Sequence, residues 1–107
     1  MTQISGLLGL CCRAGQAVLG AEMALEEIRS GKIGLVLLDE AASEGTRKKL
    51  LDACAYRSIP SHTLPSGELS RACGKDGRMA AAVRKGTLCG RMIQLLKEER
   101  TVPGQNS

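Results

Sequence analysis

Residues 18–40 read VLGAEMALEEIRSGKIGLVLLDE, and this stretch decides the fold class. A short predicted helix begins at Gly20, and an apolar run over residues 33–38 follows it. Such a run is typical of a strand that is covered on both faces. The acidic pair Asp39-Glu40 comes directly after it. A helix followed by a buried strand favours a parallel sheet, in which helix N-termini and strand ends are frequent ligand sites.

Working outward, helical and strand patterns alternate along the whole chain. Apolar spacing and terminating glycines predict helices over residues 3–13, 20–29, 67–73 and about 86–97. A further helix is predicted after an N-cap at Ser43, and its buried stripe consists of Leu50, Leu51 and Cys54. Strands are predicted over residues 17–19, 33–38, 61–64 and 79–83. The order αβαβαβαβα predicts an α/β fold, with one sheet between two helical layers. We expect a single domain over residues 1–100 and a disordered tail over 101–107.

The composition limits the classes of function. One tyrosine, with no phenylalanine or tryptophan, leaves an aliphatic core and too few aromatic rings for a protein that stacks single-stranded bases. The formal net charge of +4 permits a nucleic-acid partner, although a soluble domain without one would have much the same balance. If the chain binds RNA, it must therefore use helix N-termini, loop backbone, arginine and lysine.

The five cysteines do not form a metal-binding pattern. No CxxC pair occurs, and the single His62 is remote from every cysteine in the sequence, so we expect no metal site. Cys11, Cys54 and Cys89 fall on apolar helix stripes and are predicted to be small buried residues in a reducing cytosol. A thiol function at Cys11-Cys12 is a weaker alternative, because adjacent helical side chains point about 100° apart.

Catalytic patterns are also missing from the sequence. Asp39-Glu40 stands at a common address for catalytic carboxylates, but no nucleophile or second carboxylate cluster accompanies it. The sequence contains neither a Walker motif nor GxGxxG. We therefore predict a non-catalytic protein without a cofactor. The N-terminal apolar run lacks a basic segment and is interrupted by glycine, and no run approaches transmembrane length, so we expect a cytoplasmic protein.

A binding surface is predicted at one edge of the sandwich. The start of the second helix at residues 20–22, the pair Asp39-Glu40 and the loop over residues 74–78 should meet there. Helix N–H groups together with Lys75 and Arg78 would suit phosphates or base edges. The alternative reading is purely structural, with the glycines acting only as turn residues and helix stops.

The segments LLGLCCRAG, GAEMALEEIRSGK and LVLLDEAAS resemble the kink-turn RNA-binding family of ribosomal proteins L7Ae and L30e, most closely its bacterial YlxQ-like branch. The resemblance covers about residues 3–97. It implies a three-layer α/β/α sandwich, here with a central four-stranded mixed sheet. It also implies binding to structured RNA with a kink-turn or related internal loop, in association with the ribosome or translation and without catalysis.

The resemblance further implies a set of RNA-binding residues: Gly20, Ala21, Glu22, Met23, Lys32, Glu40, Lys75, Asp76, Gly77, Arg78 and Met79. Many family members have Asn and then Glu or Gln after the helix-opening glycine, where this chain has Glu22 and Met23. Glu26 replaces a basic residue one turn later. Because acidic residues gather here, the same edge could instead contact a basic protein partner in the translation or transcription machinery.

Overall fold

The computed structural model describes residues 3–100, and the side chains of residues 3–98. Helices and strands alternate in the predicted order: α1 Gln3–Arg13, β1 Ala17–Leu19, α2 Ala21–Arg29, β2 Ile33–Asp39, α3 Glu44–Tyr56, β3 Ser61–Leu64, α4 Glu68–Cys73, β4 Ala80–Arg84 and α5 Thr87–Arg100. The predicted tail over residues 101–107 lies outside the described residues.

The ends of the elements differ from the predictions by one to three residues. Gly20 is the N-cap of α2 rather than its first residue, and β4 begins at Ala80, one residue later than predicted. Helix α5 continues three residues beyond the predicted 97. The predicted cap of α3 is confirmed, because the Ser43 hydroxyl accepts a hydrogen bond from the Thr46 N–H at 3.2 Å.

The sheet is mixed, with the strand order β1-β4-β2-β3. Only β2 and β3 run parallel, whereas β4 is antiparallel to both β1 and β2. The four-stranded mixed sheet implied by the family resemblance is confirmed, whereas the parallel pairing favoured by the helix–strand alternation is wrong for two of the three described pairs. The reason is the length of α4, whose six residues span about 9 Å. The helix is shorter than β2, whose seven residues span about 23 Å, and the chain enters β4 at the same end of the sheet where β3 ended.

Helices cover both faces of the sheet, which confirms the three-layer sandwich. Leu35 and Leu37 of β2 are buried in a core with α1, α4 and α5. Val36 and Leu38 alternate with them and are buried against α2 and α3. Both faces are therefore apolar, as the continuous run over residues 33–38 predicted.

Two details of α3 depart from the sequence analysis. Leu51, predicted in the buried stripe with Leu50 and Cys54, is 36% exposed because the helix covers only the sheet face and leaves this side to solvent. The run of basic residues Arg47, Lys48 and Lys49 predicts a solvated face on the other side of this helix, but Arg47 does not lie on one. It is half-buried, and its guanidinium donates to the carbonyl oxygen of Glu40 at 3.1 Å and to the Thr63 hydroxyl at 3.2 Å.

Buried cysteines complete the core. Cys11, Cys54 and Cys89 are at most 3% exposed, as the sequence analysis predicted.

Within residues 3–100, no helix has the length and apolar character needed to cross a membrane.

Candidate functional site

Three segments meet at one end of the sheet. The Gly20 N–H donates to the Ala80 carbonyl oxygen at 2.9 Å, which joins the start of α2 to the start of β4. The Asp39 N–H donates to the Met79 carbonyl oxygen at 2.8 Å, which joins the end of β2 to the same point. The structure thus brings together the helix start, the strand end and the loop before β4 that the sequence analysis placed on one edge.

A cleft of about 410 Å³ lies between the start of α2 and the loop before β4. We call it the α2 cleft, and its lining residues are Leu19, Gly20, Ala21, Glu22, Met23, Thr46, Gly77, Arg78 and Met79. It contains seven of the eleven residues predicted for RNA binding, from both halves of the chain. Backbone donors, a guanidinium, a carboxylate and two methionine side chains therefore share one surface.

The start of α2 faces this cleft with free backbone donors. The first hydrogen bond inside the helix runs from the Ala24 N–H to the Gly20 carbonyl oxygen at 2.9 Å. The N–H groups of residues 21–23 accordingly have no carbonyl partner within the helix. Gly20 has φ 101° and ψ 144°, a backbone conformation that L side chains rarely adopt. The helix start is thus bare, positively polarised and shaped by a glycine.

Arg78 lies beside the start of α2. Its backbone is fixed by Ser70, whose hydroxyl accepts from the Arg78 N–H at 3.0 Å and donates to the Arg78 carbonyl oxygen at 3.3 Å. Its Nη1 lies 3.8 Å from the position that a Cβ atom would occupy on Gly20. Its Nε is buried and has no hydrogen-bond acceptor among the described residues. The guanidinium therefore lies beside the N-cap residue of α2, where its terminal nitrogen Nη1 adds a donor to those of the helix start.

Of the three carboxylates of α2, Glu22 lines the α2 cleft. Glu22 and Glu26 are exposed, whereas Glu27 is half-buried and its carboxylate lies 3.5 Å from the Arg84 guanidinium. The Glu27 carboxylate is therefore paired with the guanidinium of Arg84, the last residue of β4. Met23, which is 54% exposed, adds an apolar contact between the acidic groups.

The two acidic residues at the end of β2 have different surroundings. Asp39 is fully buried, and its carboxylate accepts from the Ala41 N–H at 2.7 Å and from the Gly67 N–H at 2.9 Å. It therefore anchors the turns around the site. Glu40 is exposed beside the start of α4, where its carboxylate accepts from the Ser66 N–H at 3.3 Å. Glu40 shares the edge but does not line the α2 cleft.

Lys32 is not near this cleft. It precedes β2, and the seven residues of that strand separate it from Glu40 by about 25 Å. Its carbonyl oxygen accepts from the Lys85 N–H at 2.9 Å, at the end of β4 that is remote from Arg78. The structure thus separates Lys32 from the other predicted residues, because a strand connects the two ends of the sheet.

A second cleft adjoins the first and shares Leu19 and Arg78 with it. We call it the cysteine cleft, and its lining residues are Cys12, Arg13, Ala17, Leu19, Cys73, Lys75 and Arg78. Three of these side chains are basic. Lys75 of the predicted set belongs here, while Asp76 is exposed on the loop and lines neither cleft.

Sequence reasoning missed two residues of the α2 cleft. Leu19 ends β1 and was assigned only to a strand, and Thr46 lies in the first turn of α3. The signal for Thr46 was present in the predicted N-cap at Ser43, which places Thr46 at the helix start. What the sequence did not show is that α3 packs beside α2 and points this turn at the cleft.

No group of three or more His, Cys, Asp or Glu side chains that could hold a metal ion occurs in the described part of the chain. His62 is half-buried on β3, paired in register with Leu37.

Burial raises the pKa of the Cys11 thiol to about 11, with the nearby Cys12 and Cys89 as smaller causes. This buried thiol is therefore protonated at neutral pH.

Comparison with known proteins relates nearly the whole chain to one family. The model of the ribosomal protein L7Ae/L30e/S12e/Gadd45 family matches residues 2–91. The RNA-binding protein YlxQ of Bacillus subtilis (strain 168) is 40% identical over 91 residues, which are 84% of this chain and 91% of that protein. The RNA-binding protein YlxQ of Enterococcus faecium is 35% identical over 81 residues, which are 75% of this chain and 79% of that protein.

Solved structures have the same fold. A protein of unknown function from Bacillus halodurans C is 32% identical with a TM-score of 0.85, over 92% of this chain and all of that chain (100%). The 15.5kD RNA binding protein of Giardia lamblia is 20% identical with a TM-score of 0.72, over 90% of this chain and 82% of that one. At that identity, the second likeness concerns the fold alone.

Proposed function

Since this chain belongs to the ribosomal protein L7Ae/L30e/S12e/Gadd45 family, we propose that it is a cytoplasmic RNA-binding protein that recognises a kink-turn or related internal loop. It acts by binding and not by catalysis, in keeping with relatives that are named for RNA binding. We further propose that its RNA belongs to the ribosome or to the translation machinery.

One observation carries the proposal: the bare N-terminus of α2 and Arg78 lie side by side in the α2 cleft. Helix N–H groups can donate to phosphate oxygens or to the acceptors on guanine edges. An arginine beside them adds a bidentate donor for a phosphate or a guanine. The combination needs no aromatic platform, which suits a chain with a single tyrosine.

The acidic residue at the helix start has a defined place in this proposal. An ionised carboxylate accepts hydrogen bonds but cannot donate them. Glu22 therefore suits the exocyclic amino groups of bases, which an internal loop presents where pairs are not Watson–Crick. Met23 and Met79 supply apolar contacts to the base faces or sugars in the same cleft. Recognition thus combines amino-group readout at Glu22 with phosphate contact at Arg78.

A titration tests this function. Fluorescently labelled kink-turn RNA is compared with a matched duplex in which the internal loop is replaced by Watson–Crick pairs, at several salt concentrations. We expect tighter binding to the kink-turn RNA, and an affinity for it that falls as salt rises, because phosphate contacts release counterions. Equal binding to both RNAs would remove loop recognition from the proposal. Absence of binding to any structured RNA at low salt would refute RNA binding as a whole.

The exposed Glu22 and Glu26, with Met23 between them, support one other candidate function. These side chains could contact a basic protein of the translation or transcription machinery. The two functions differ in their response to nuclease: a protein partner would remain bound after RNA digestion, whereas an RNA-dependent association would be lost.

A further inference from the structure

We propose that Cys12 and Cys73 are a reversible redox pair, which forms an intramolecular disulfide in the lining of the cysteine cleft. Their sulfur atoms are 2.8 Å apart, although the residues are separated by 61 positions in the sequence. This site goes beyond the proposed RNA binding and does not depend on it. It also gives a chemical role to the half-buried member of the Cys11-Cys12 pair.

The packing of α1 against α4 brings the two thiols together. The Ser5 hydroxyl is hydrogen-bonded to the buried Glu68 carboxylate at one end of the contact. At the middle, a Cβ atom on Gly9 would lie 3.1 Å from the Ala72 carbonyl oxygen, so the two backbones touch here only because residue 9 is glycine. Cys12 follows on the same face of α1, three residues after Gly9.

The geometry of the thiols is close to that of a bond. A disulfide has a sulfur–sulfur length of about 2.05 Å, so closure requires the two sulfurs to approach by roughly 0.8 Å. Both cysteines lie next to the close contact between α1 and α4, since Gly9 lies one turn before Cys12 and Ala72 directly precedes Cys73. We expect rotation of the two side chains to supply this movement.

The pair is accessible to a small oxidant. Cys12 and Cys73 are half-buried, in contrast to the fully buried Cys11, and both line an open cleft. Arg13, Lys75 and Arg78 line the same cleft and attract anions. A small-molecule disulfide that carries carboxylates, such as oxidised glutathione, therefore matches the charge of this cleft.

The reaction proceeds by two thiol–disulfide exchanges. The Cys12 thiolate, having given its proton to solvent, attacks the small disulfide and releases one thiolate, which takes up a proton. The Cys73 thiolate then attacks the Cys12 sulfur of the mixed disulfide and releases the second thiol. The two cysteines lose two electrons and two protons in total, and the small disulfide becomes two thiols.

The order of attack follows from the surroundings of Cys73. Burial, as the largest cause, together with the hydrogen bond with Cys12 and the charges of Cys12 and Cys11 raises the pKa of the Cys73 thiol to about 12. Cys73 is therefore a poor first nucleophile. Once Cys12 is in the mixed disulfide, its hydrogen bond and its negative charge no longer oppose ionisation of Cys73.

The disulfide would restrain α4, a helix that also positions one residue of the α2 cleft. Cys73 is the last residue of α4, and Ser70 of the same helix makes both hydrogen bonds to the backbone of Arg78. A covalent link to α1 would thus fix the helix that positions this arginine.

The test uses the full chain incubated in mixtures of reduced and oxidised glutathione, followed by acid quenching, alkylation and peptide mass spectrometry. We expect two of the five thiols to be lost in the oxidised mixture and to return in the reduced one. The linked peptides should contain Cys73 and the Cys11-Cys12 segment, and Cys12→Ser should abolish the link with Cys11 still present. Cys73→Ser should abolish it as well, whereas Cys54→Ala, a matched change on the other face of the sheet, should leave it intact.

Three results would overturn the proposal. The first is that the wild-type chain keeps five free thiols in the most oxidising mixture. The second is a bridge that persists in Cys12→Ser and therefore uses Cys11. The third is a link formed only between two protein molecules, visible as a dimer on a non-reducing gel.

Discussion

The guanidinium of Arg78 lies directly beside Gly20, with Nη1 3.8 Å from the place where a Cβ atom would stand. One residue opens α2 and the other precedes β4, so distant parts of the sequence form this contact. It joins the partial positive charge of a helix N-terminus to a full positive charge. Two positive potentials therefore adjoin here, which favours an anionic ligand at this point.

Arg78→Ala should weaken binding to structured RNA by about tenfold and reduce the salt dependence by about one counterion, because one phosphate contact is lost. Fluorescence anisotropy at several salt concentrations measures both quantities. Lys32→Ala is the matched control, since it removes the same charge at the opposite end of the sheet. An equal loss in both variants would show that only the net charge matters.

Glu22→Ala should weaken binding by about 1–3 kcal/mol, because the amino groups of the bases lose their acceptor. Glu26→Ala removes the same charge one turn later, away from the cleft lining, and should strengthen binding slightly by reducing repulsion. The comparison is made by the same titration at moderate salt. If both variants strengthen binding alike, Glu22 is only a repulsive charge and does not read bases.

Gly20→Ala should lower the free energy of unfolding by about 1–3 kcal/mol, because the φ of 101° is strained for any residue with a Cβ atom. Urea unfolding followed by far-ultraviolet circular dichroism measures the change. Gly90→Ala is the control: a Cβ atom there meets nothing within 4 Å inside α5. It should stabilise the protein by about 0.5–1 kcal/mol. A neutral Gly20→Ala variant would argue against the strained helix start.

Asp39→Ala should destabilise the protein by about 2–4 kcal/mol, because the N–H groups of Ala41 and Gly67 lose a charged acceptor beside a buried site. Asp52→Ala serves as the comparison. Its carboxylate forms an exposed pair with Lys48 at 3.2 Å, so its loss should cost less than about 0.5 kcal/mol. Chemical unfolding of both variants provides the measurement, and similar values for the two would contradict an anchoring role for Asp39.

The stability should fall at alkaline pH. Burial raises the pKa of Cys11 from 9.0 to about 11 and that of Cys73 from 9.0 to about 12. The folded state therefore holds these protons more tightly than the unfolded state, so the contribution is complete below pH 9 and is lost as pH rises toward about 11 to 12. Thermal unfolding under a reducing agent should show a declining melting temperature over this range.

Cys11→Val provides the control for that experiment. It replaces a titrating thiol in the core with an apolar side chain, so its melting temperature should decline less steeply with pH than that of the wild-type chain. Parallel curves would mean that lysine and tyrosine titration, and not the buried thiol, cause the alkaline loss.

The fold was largely predictable because its signals are local. The apolar run of β2, the cap at Ser43 and the glycine at the start of α2 each specify an element from a few neighbouring residues. The strand order was less accessible, since the antiparallel placement of β4 follows from the short length of α4 and the path of the chain around it. Local patterns favour a parallel sheet until that length is taken into account.

The site was predictable only in part, for a similar reason. Residues of the α2 start and the loop before β4 could be named from their sequence neighbours and the family resemblance. Lys32 was included from the family resemblance, although the predicted strand over residues 33–38 already separates it from Glu40 by the length of that strand. The approach of Cys12 to Cys73 was likewise hidden, since it follows from the tertiary contact at Gly9.

The central position of β4 has a consequence for the order in which the protein is made. β4 lies between β1 and β2, yet it is the last of the described strands to leave the ribosome. Until then the first strand has no partner in the sheet, and the Gly20 N–H has no Ala80 carbonyl oxygen to bind. We therefore expect a nascent chain that ends before β4 to lack the cleft, so that the finished protein alone engages its ligand.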